Sequence, residues 1–430
     1  MMEDPDLLER MRADWNQRAG EDANYYVAFG RRQQDDEEFF STATDVLRLL
    51  GGELKRLRGR AAALEIGCGP GRLMRPLSRH FTEIHGVDVS DRMVRLAQER
   101  LGATPNAHVH HSSGADLARF PADMFDFVYS YAVFQHIPSR EVVFGYLREA
   151  RRVLKTGGIL RCQINGLPAH AREYDTWSGV RIAPGEIARF AREQDFQLLA
   201  LEQIWTQYMW ITCRKMPEGW VRSLPGKPAG LSRIRTIGNA LTGERAVPAA
   251  GPMAFVSVWI DRLPPDCDLN HMAMTADGRS CRLTFIGEPE ADGVSQVNAA
   301  LPEGVRTGLV PIELTWQGRP VCAPGWMRIV PAGPSVPRIS ALTDGVNLLS
   351  DNRISSGILK VTMHEVTQAA KFRIALDGRA IEVSDTFCVD PVAQRWEFNV
   401  DLPPGTSSGP HEVRIAMGRR AFPPMTVEVV

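Results

Sequence analysis

The feature that most constrains this chain is the stretch Leu64-Glu65-Ile66-Gly67-Cys68-Gly69-Pro70-Gly71-Arg72. An apolar run over 61–64 enters it as a buried strand, and three glycines at alternate positions turn the chain into a helix. Glycine is needed where backbone takes a positive φ or lies close against a ligand. The helix N-terminus beyond such a turn offers unpaired N–H groups. The dinucleotide fingerprint G-x-G-x-x-G wants glycine at its sixth position, for close helix–strand packing. Arg72 stands there instead, and an acid, Glu65, sits two residues before Gly67.

Strands and helices alternate from this point. Residues 73–81 read as a helix and 84–90 as a strand carrying Asp88 and Val89 at its carboxyl end. Asp88 follows Gly67 by 21 residues (88 − 67). A carboxylate so placed can accept both hydroxyls of a ribose; its other natural role is to cap the helix starting at Ser90. A helix (91–101), a strand (107–111), the loop Ser113 to Leu117 and a β-rich run (124–130) come next. The spacing then predicts a helix over 138–154, stopped by Lys155-Thr156-Gly157-Gly158. A strand (159–164), an interruption (166–183), a helix (184–194) and a closing hairpin (196–204 and 208–213) complete a sheet of about seven strands.

Glu65-Ile66-Gly67-Cys68-Gly69-Pro70-Gly71 resembles motif I, E-x-G-x-G-x-G, of the class I S-adenosylmethionine-dependent methyltransferases of small-molecule type. With the alternation around it, the resemblance covers residues 1–215. It implies an α/β Rossmann-like seven-stranded domain with S-adenosylmethionine as cofactor. It also implies cofactor contacts at Glu65, Gly67, Cys68, Gly69, Gly71, Asp88 and Val89, an adenine contact at Asp116 and Leu117, and a cofactor-facing loop at Ser130 and Tyr131. Asn-Pro-Pro-Tyr and Pro-Cys, signatures of adenine- or glutamine-methylating and cytosine-methylating enzymes, are absent. Helices over 3–20 and 36–58 either close over the cofactor as a lid or pack Trp15, Tyr25 and Tyr26 against the domain. His136, with an ordinary pKa near neutrality, is the candidate catalytic base; its alternative role is to hold its loop. His110 and His111 compete for that role but read as structural. Tyr25, Tyr26, His170, Tyr174 and Trp177 are the candidate acceptor contacts.

At 430 residues the chain is too long for one ordinary domain, and two or three are expected. Residues 216–252, rich in proline, read as a linker with one short helix near 232–241. Beyond it the sequence repeats itself: Asp277-Gly278-Arg279 returns as Asp377-Gly378-Arg379, and Gly318-Arg319 as Gly418-Arg419. Short alternating runs between turn residues predict two all-β sandwich modules, 253–332 and 333–430, immunoglobulin-like in architecture only. A net charge of −1 gives no field to draw nucleic acid or a membrane. Seven cysteines without a C-x-x-C pair argue against zinc and a disulfide framework, and no metal is expected. The N-terminus does not read as a signal peptide, so a cytoplasmic protein is expected. The expected activity is methyl transfer to an oxygen or nitrogen of a small-molecule or glycan acceptor, with the sandwiches recruiting substrate or a partner; a homodimer is a candidate assembly. The rivals are another adenosyl-ligand transferase and a non-catalytic scaffold on a degenerate body. A fragment ending near Lys215 is expected to fold alone, and loss of 253–430 to spare turnover of a small acceptor.

Overall fold

Five parallel strands and an antiparallel hairpin build the sheet that carries the glycine turn. A computed structural model describes residues 5–28, 32–169, 174–227, 232–333, 336–346, 351–366, 368–390 and 394–430. The strands are β1 (Ala62–Ile66), β2 (Glu83–Asp88), β3 (Ala107–His111), β4 (Phe125–Ser130), β5 (Leu154–Ile164), β6 (Phe196–Glu202) and β7 (Met209–Lys215). They lie in the order β3-β2-β1-β4-β5-β7-β6, parallel through β5. The order reverses between β1 and β4, where open α/β sheets bind ligands. Every residue of β1, β4 and β7 is buried, which suits the largely apolar sequences of the parallel strands β1 and β4. Truncating the fully buried Phe127 to alanine would cost about 3–5 kcal/mol.

The helices depart from expectation in detail. The first, α1 (Pro5–Ala28), runs past residue 20 and is broken at Asp22, whose carboxylate accepts the Tyr25 N–H at 3.0 Å and restarts the helix. The expected second helix is two, α2 (Asp36–Ser41) and α3 (Ala43–Arg56). Only α4 (Met74–Leu77) and a 3-10 turn (Ser78–His80) occupy 73–81. After α5 (Asp91–Arg100), α6 (Arg140–Val153) passes directly into β5, so Gly157-Gly158 lies inside a strand and ends no helix. Helix α7 (Pro184–Glu193) precedes the hairpin.

The expected helix near 232–241 is a strand, β8 (Arg233–Asn239). Ile234 and Ile237, three residues apart across a register shift in the pairing with the strand Phe255–Asp261, pack against the core of the first β unit. This unit therefore begins within the presumed linker. It comprises β8, β9 (Ala246–Pro248), β10 (Phe255–Asp261), β11 (Met272–Ala276), β12 (Arg279–Ile286), β13 (Val294–Ala300), β14 (Gly308–Trp316), β15 (Arg319–Pro320) and β16 (Gly325–Val330). The second unit holds β17 (Arg338–Asp344), β18 (Arg353–Ile354), β19 (Ile358–His364), β20 (Phe372–Leu376), β21 (Arg379–Ile381), β22 (Asp385–Asp390), β23 (Arg395–Asp401), β24 (Gly409–Met417), β25 (Arg420–Ala421) and β26 (Met425–Val429). The pairings correspond. β8 joins β10 as β17 joins β19, and short β9 and β18 lie parallel to β16 and β26. The recurring Asp-Gly sits in the β11–β12 and β20–β21 hairpins.

The first unit continues the seven-stranded sheet. Phe285 of β12 pairs with Ala200 of β6. Arg214, buried in β7, forms an ion pair with Glu288, and Leu269 N–H donates to the Leu198 carbonyl at 2.9 Å. A fragment ending at Lys215 would bare a sheet edge and strand a buried arginine, contrary to the expectation of independent folding.

Candidate active site

The chain leaves β1 through Gly67 (φ 71°), Gly69 (φ 50°) and Gly71 (φ 85°). At Gly67 a Cβ would lie 2.4 Å from a Val133 methyl, and at Gly69 it would lie 3.3 Å from Val27 of α1. Gly67 N–H and Cys68 N–H both donate to the Val87 carbonyl, at 2.8 and 3.0 Å, fastening the turn to β2. The turn forms the floor of a cavity of about 930 Å³.

Glu65, Gly67, Cys68, Gly69, Asp88, Val89, Tyr131, Tyr26 and His136 line this cavity. Glu65 accepts the Tyr129 hydroxyl at 2.8 Å. Burial pushes its carboxyl up to about 8, against the lowering pull of that hydroxyl and of Arg72. Asp88 accepts Gly69 N–H (2.8 Å) and Ser90 N–H (2.9 Å). Burial raises its pKa and the two N–H groups pull it back. Asp88 therefore braces the glycine turn while facing the cavity; the cap of α5 is Ser90, whose hydroxyl accepts Met93 N–H.

Three assignments fail. Asp116 and Leu117 do not line the cavity: Asp116 spends its oxygens on the Ser113 hydroxyl and Ala118 N–H, both at 2.9 Å, and Leu117 belongs to the core. Ser112 and Gly114 line it instead. Ser130 is buried, and its hydroxyl donates to the Ile66 carbonyl at 2.8 Å, tying β4 to β1. Gly71 is part of the turn but packs toward Leu101, away from the cavity lining.

Among the acceptor candidates, Tyr25 is buried off the cavity under the Arg32 guanidinium, and Tyr174 packs against the core. Tyr26 and Trp177 meet edge to face, with centroids 6.3 Å apart. His170 lies outside the described residues. His110 stacks with His85, its Nε2 3.3 Å from the His85 Nδ1, and burial lowers its pKa to about 4. His111, at the exposed end of β3, contacts the Val89 carbonyl. Glu83, His85 and His108 bring ligand atoms within 4.8 Å of one another, a grouping of two adjacent strands that no sequence spacing signals.

Helix α1 roofs the cavity. Asn16 accepts the Ser90 hydroxyl at 2.7 Å, and Trp15 and Val27 line the inside. Arg18 lies over Trp15 and Trp177 and donates to Thr176 at 3.0 Å, clasping the loop after β5. Helix α1 thus packs Trp15 against the domain and covers the cavity at once. Arg72, also lining the cavity, escaped notice because its only signal was the glycine it replaces in the dinucleotide fingerprint.

His136 stands at the cavity's edge. Its Nδ1 is 3.0 Å from the Trp177 carbonyl, which requires a proton on that nitrogen. Its Nε2 is 3.2 Å from the Gln135 amide nitrogen. Burial lowers its pKa to about 4, so it is neutral at pH 7.

Residues 64–162 match the methyltransferase-domain family. Phosphoethanolamine N-methyltransferase 2 of Caenorhabditis elegans is 36% identical over 97 residues, 22% of each chain. Trans-aconitate 2-methyltransferase of Afipia carboxidovorans is 32% identical over 164 residues, 37% of this chain and 54% of that one. A solved DhpI complex with S-adenosylhomocysteine aligns with a TM-score of 0.37 at 18% identity, over 49% of this chain and 98% of that one. The chain spans about half or less of the curated relatives it matches. Residues 64–162 therefore carry a methyltransferase domain, set in a Rossmann-like sheet and followed by an all-β region in several sheets. Among the described residues no helix is long and apolar enough to cross a membrane.

Proposed function

We propose that this protein transfers the methyl group of S-adenosylmethionine to an oxygen or nitrogen of a small-molecule or glycan acceptor, with the β modules recruiting substrate. The observation that carries this reading is the position of His136: it lines both the glycine-floored cavity and a second cavity of about 1640 Å³. A donor held on one side and an acceptor on the other would meet there. The first cavity suits a cationic amino-acid nucleoside: a glycine floor that admits close approach, the Glu65 and Asp88 carboxyls, and the aromatic walls of Trp15, Tyr26 and Tyr131.

When bound, the cofactor supplies an electrophilic methyl group on a positively charged sulfur. The protein's own contribution is to hold the partners in line and exclude water. The lid formed by α1 and the Arg18 clasp serve the second task. The Trp177 carbonyl fixes the proton of His136 on Nδ1, so the Nε2 lone pair accepts from the Gln135 amide at 3.2 Å, and an acceptor hydroxyl would have to displace that donor to pass its proton to His136. A base with a pKa of about 4 is weak. It suffices for a hydroxyl acceptor, because the oxygen becomes a far stronger acid than imidazolium once the carbon–oxygen bond forms. An amine acceptor needs less.

Incubation of the full chain with methyl-labelled S-adenosylmethionine and fractionated cell extract tests the reading. Label is expected in one or a few metabolites; label in none, with the cofactor bound, would refute it.

A further inference from the structure

The second cavity is closed by the second β unit. One wall belongs to the methyltransferase domain, with His136, Gln135, Trp177 and Tyr208; the facing wall is built from β19, β22 and β23. The walls are fastened together by the ion pair of the buried Arg181 with Asp385, at 2.9 Å, and by Leu167 packed with Phe387 and Val389. The two β units therefore do different work from one pattern: the first extends the sheet through β12, and the second faces the active site.

The wall chemistry is selective. Arg181 and Lys360, the cations among the described lining residues, each pair with a carboxylate that also lines the cavity, Asp385 and Glu397, both at 2.9 Å. Asp175 and Asp401 add two more acids. An anionic acceptor would meet more negative than positive charge. Gln135 and Asn399 bring carboxamides to opposite walls. Trp177, Tyr208 and Phe387 add aromatic surface. Burial pushes the Tyr208 phenol up to about 12, so it stays neutral and can donate. Aromatic faces interleaved with carboxylates and carboxamides complement a sugar ring, which has an apolar C–H face and a rim of hydroxyl donors.

We infer that the second β unit forms the far wall of the acceptor site and that the acceptor is an uncharged saccharide. The inference rests on the methyl-transfer reading above. Its test uses the full chain, saturated with S-adenosylhomocysteine, on an array of neutral and anionic mono- and oligosaccharides. Asn399→Leu and the near-isosteric Glu397→Gln are run beside it, and calorimetry measures the adenosyl ligand separately. Wild type is expected to retain at least one neutral saccharide. Asn399→Leu should weaken that retention tenfold or more and Glu397→Gln measurably, while affinity for S-adenosylhomocysteine stays within twofold in both. Retention of no saccharide, preference for anionic glycans, or undiminished retention by both variants would overturn the inference. Failure of wild type to bind S-adenosylhomocysteine would instead defeat the methyl-transfer reading, and the array result would still decide the saccharide site by itself.

Discussion

Replacing Glu65 with glutamine should uncouple cofactor binding from pH. With its pKa held at about 8 by burial, the Glu65 carboxyl is protonated in roughly nine of ten molecules at pH 7. S-adenosylmethionine brings positive charge into the cavity that Glu65 lines, and a nearby cation favours the ionised carboxylate. Binding should therefore expel about 0.9 proton from this group at pH 7. Affinity should rise roughly 50-fold between pH 6 and pH 8 and level off above. In Glu65→Gln the new amide oxygen would still accept the Tyr129 hydroxyl, which lies 2.8 Å from the native carboxyl, but the amide has no proton to lose. Calorimetry in buffers of different ionisation enthalpy counts the protons. The amino group of the ligand titrates identically with both proteins, so the difference between them belongs to Glu65. Equal proton release from wild type and variant, or a wild-type affinity that falls as pH rises, would refute the reasoning.

Asp88→Ala should weaken cofactor binding by about 1.5–3 kcal/mol, through the lost acceptor and the loosened Gly69 and Ser90 N–H groups; unchanged affinity by calorimetry would leave Asp88 a structural brace only. His136 is neutral when folded, with a pKa of about 4 against 6.5 in the ordinary state. The unfolded chain binds more protons between those values, so the His136 contribution to stability is present above pH 6.5 and lost as pH falls through 4. His136→Gln should flatten that part of the melting-temperature profile, and an unchanged slope would count against the buried neutral imidazole. A chain stopped after Lys215 should aggregate, whereas one stopped near residue 332 should stay monodisperse in sedimentation and bind S-adenosylhomocysteine, because β12 then covers β6 and Glu288 still pairs with Arg214. Turnover of even a small acceptor should suffer in the shorter chain, contrary to the expectation from sequence.

The seven strands and the glycine floor were legible because local chemistry dictates them: apolar runs that must be buried and glycines that must take positive φ. Asp88 and Tyr131 followed from their places at strand ends. Asp116 did not, because an acid after Ser113-Gly114 reads alike whether it faces a ligand or closes its own loop, and here it closes the loop. The strand at 233–239 hid among prolines and arginines, and its isoleucines, three residues apart, break the alternation that marks a strand; a register shift against β10 brings both to the core, and the corresponding strand 338–344 reveals it only once the repeat is seen in three dimensions. The wall formed by the second β unit left no trace in sequence. Asn399 and His136 come together through packing of elements far apart in the chain, and no spacing encodes that.

The central claim is that the glycine turn and its carboxylates hold an adenosyl cofactor. Calorimetric titration of the full chain with S-adenosylhomocysteine tests it most directly, beside Gly69→Val. A branched side chain at φ 50°, 3.3 Å from Val27, would both strain the turn and fill the floor. Saturable binding of one equivalent by wild type, absent from a Gly69→Val protein that melts cooperatively, is the predicted result. No saturable heat with wild type, or equal affinity in the variant, would contradict it.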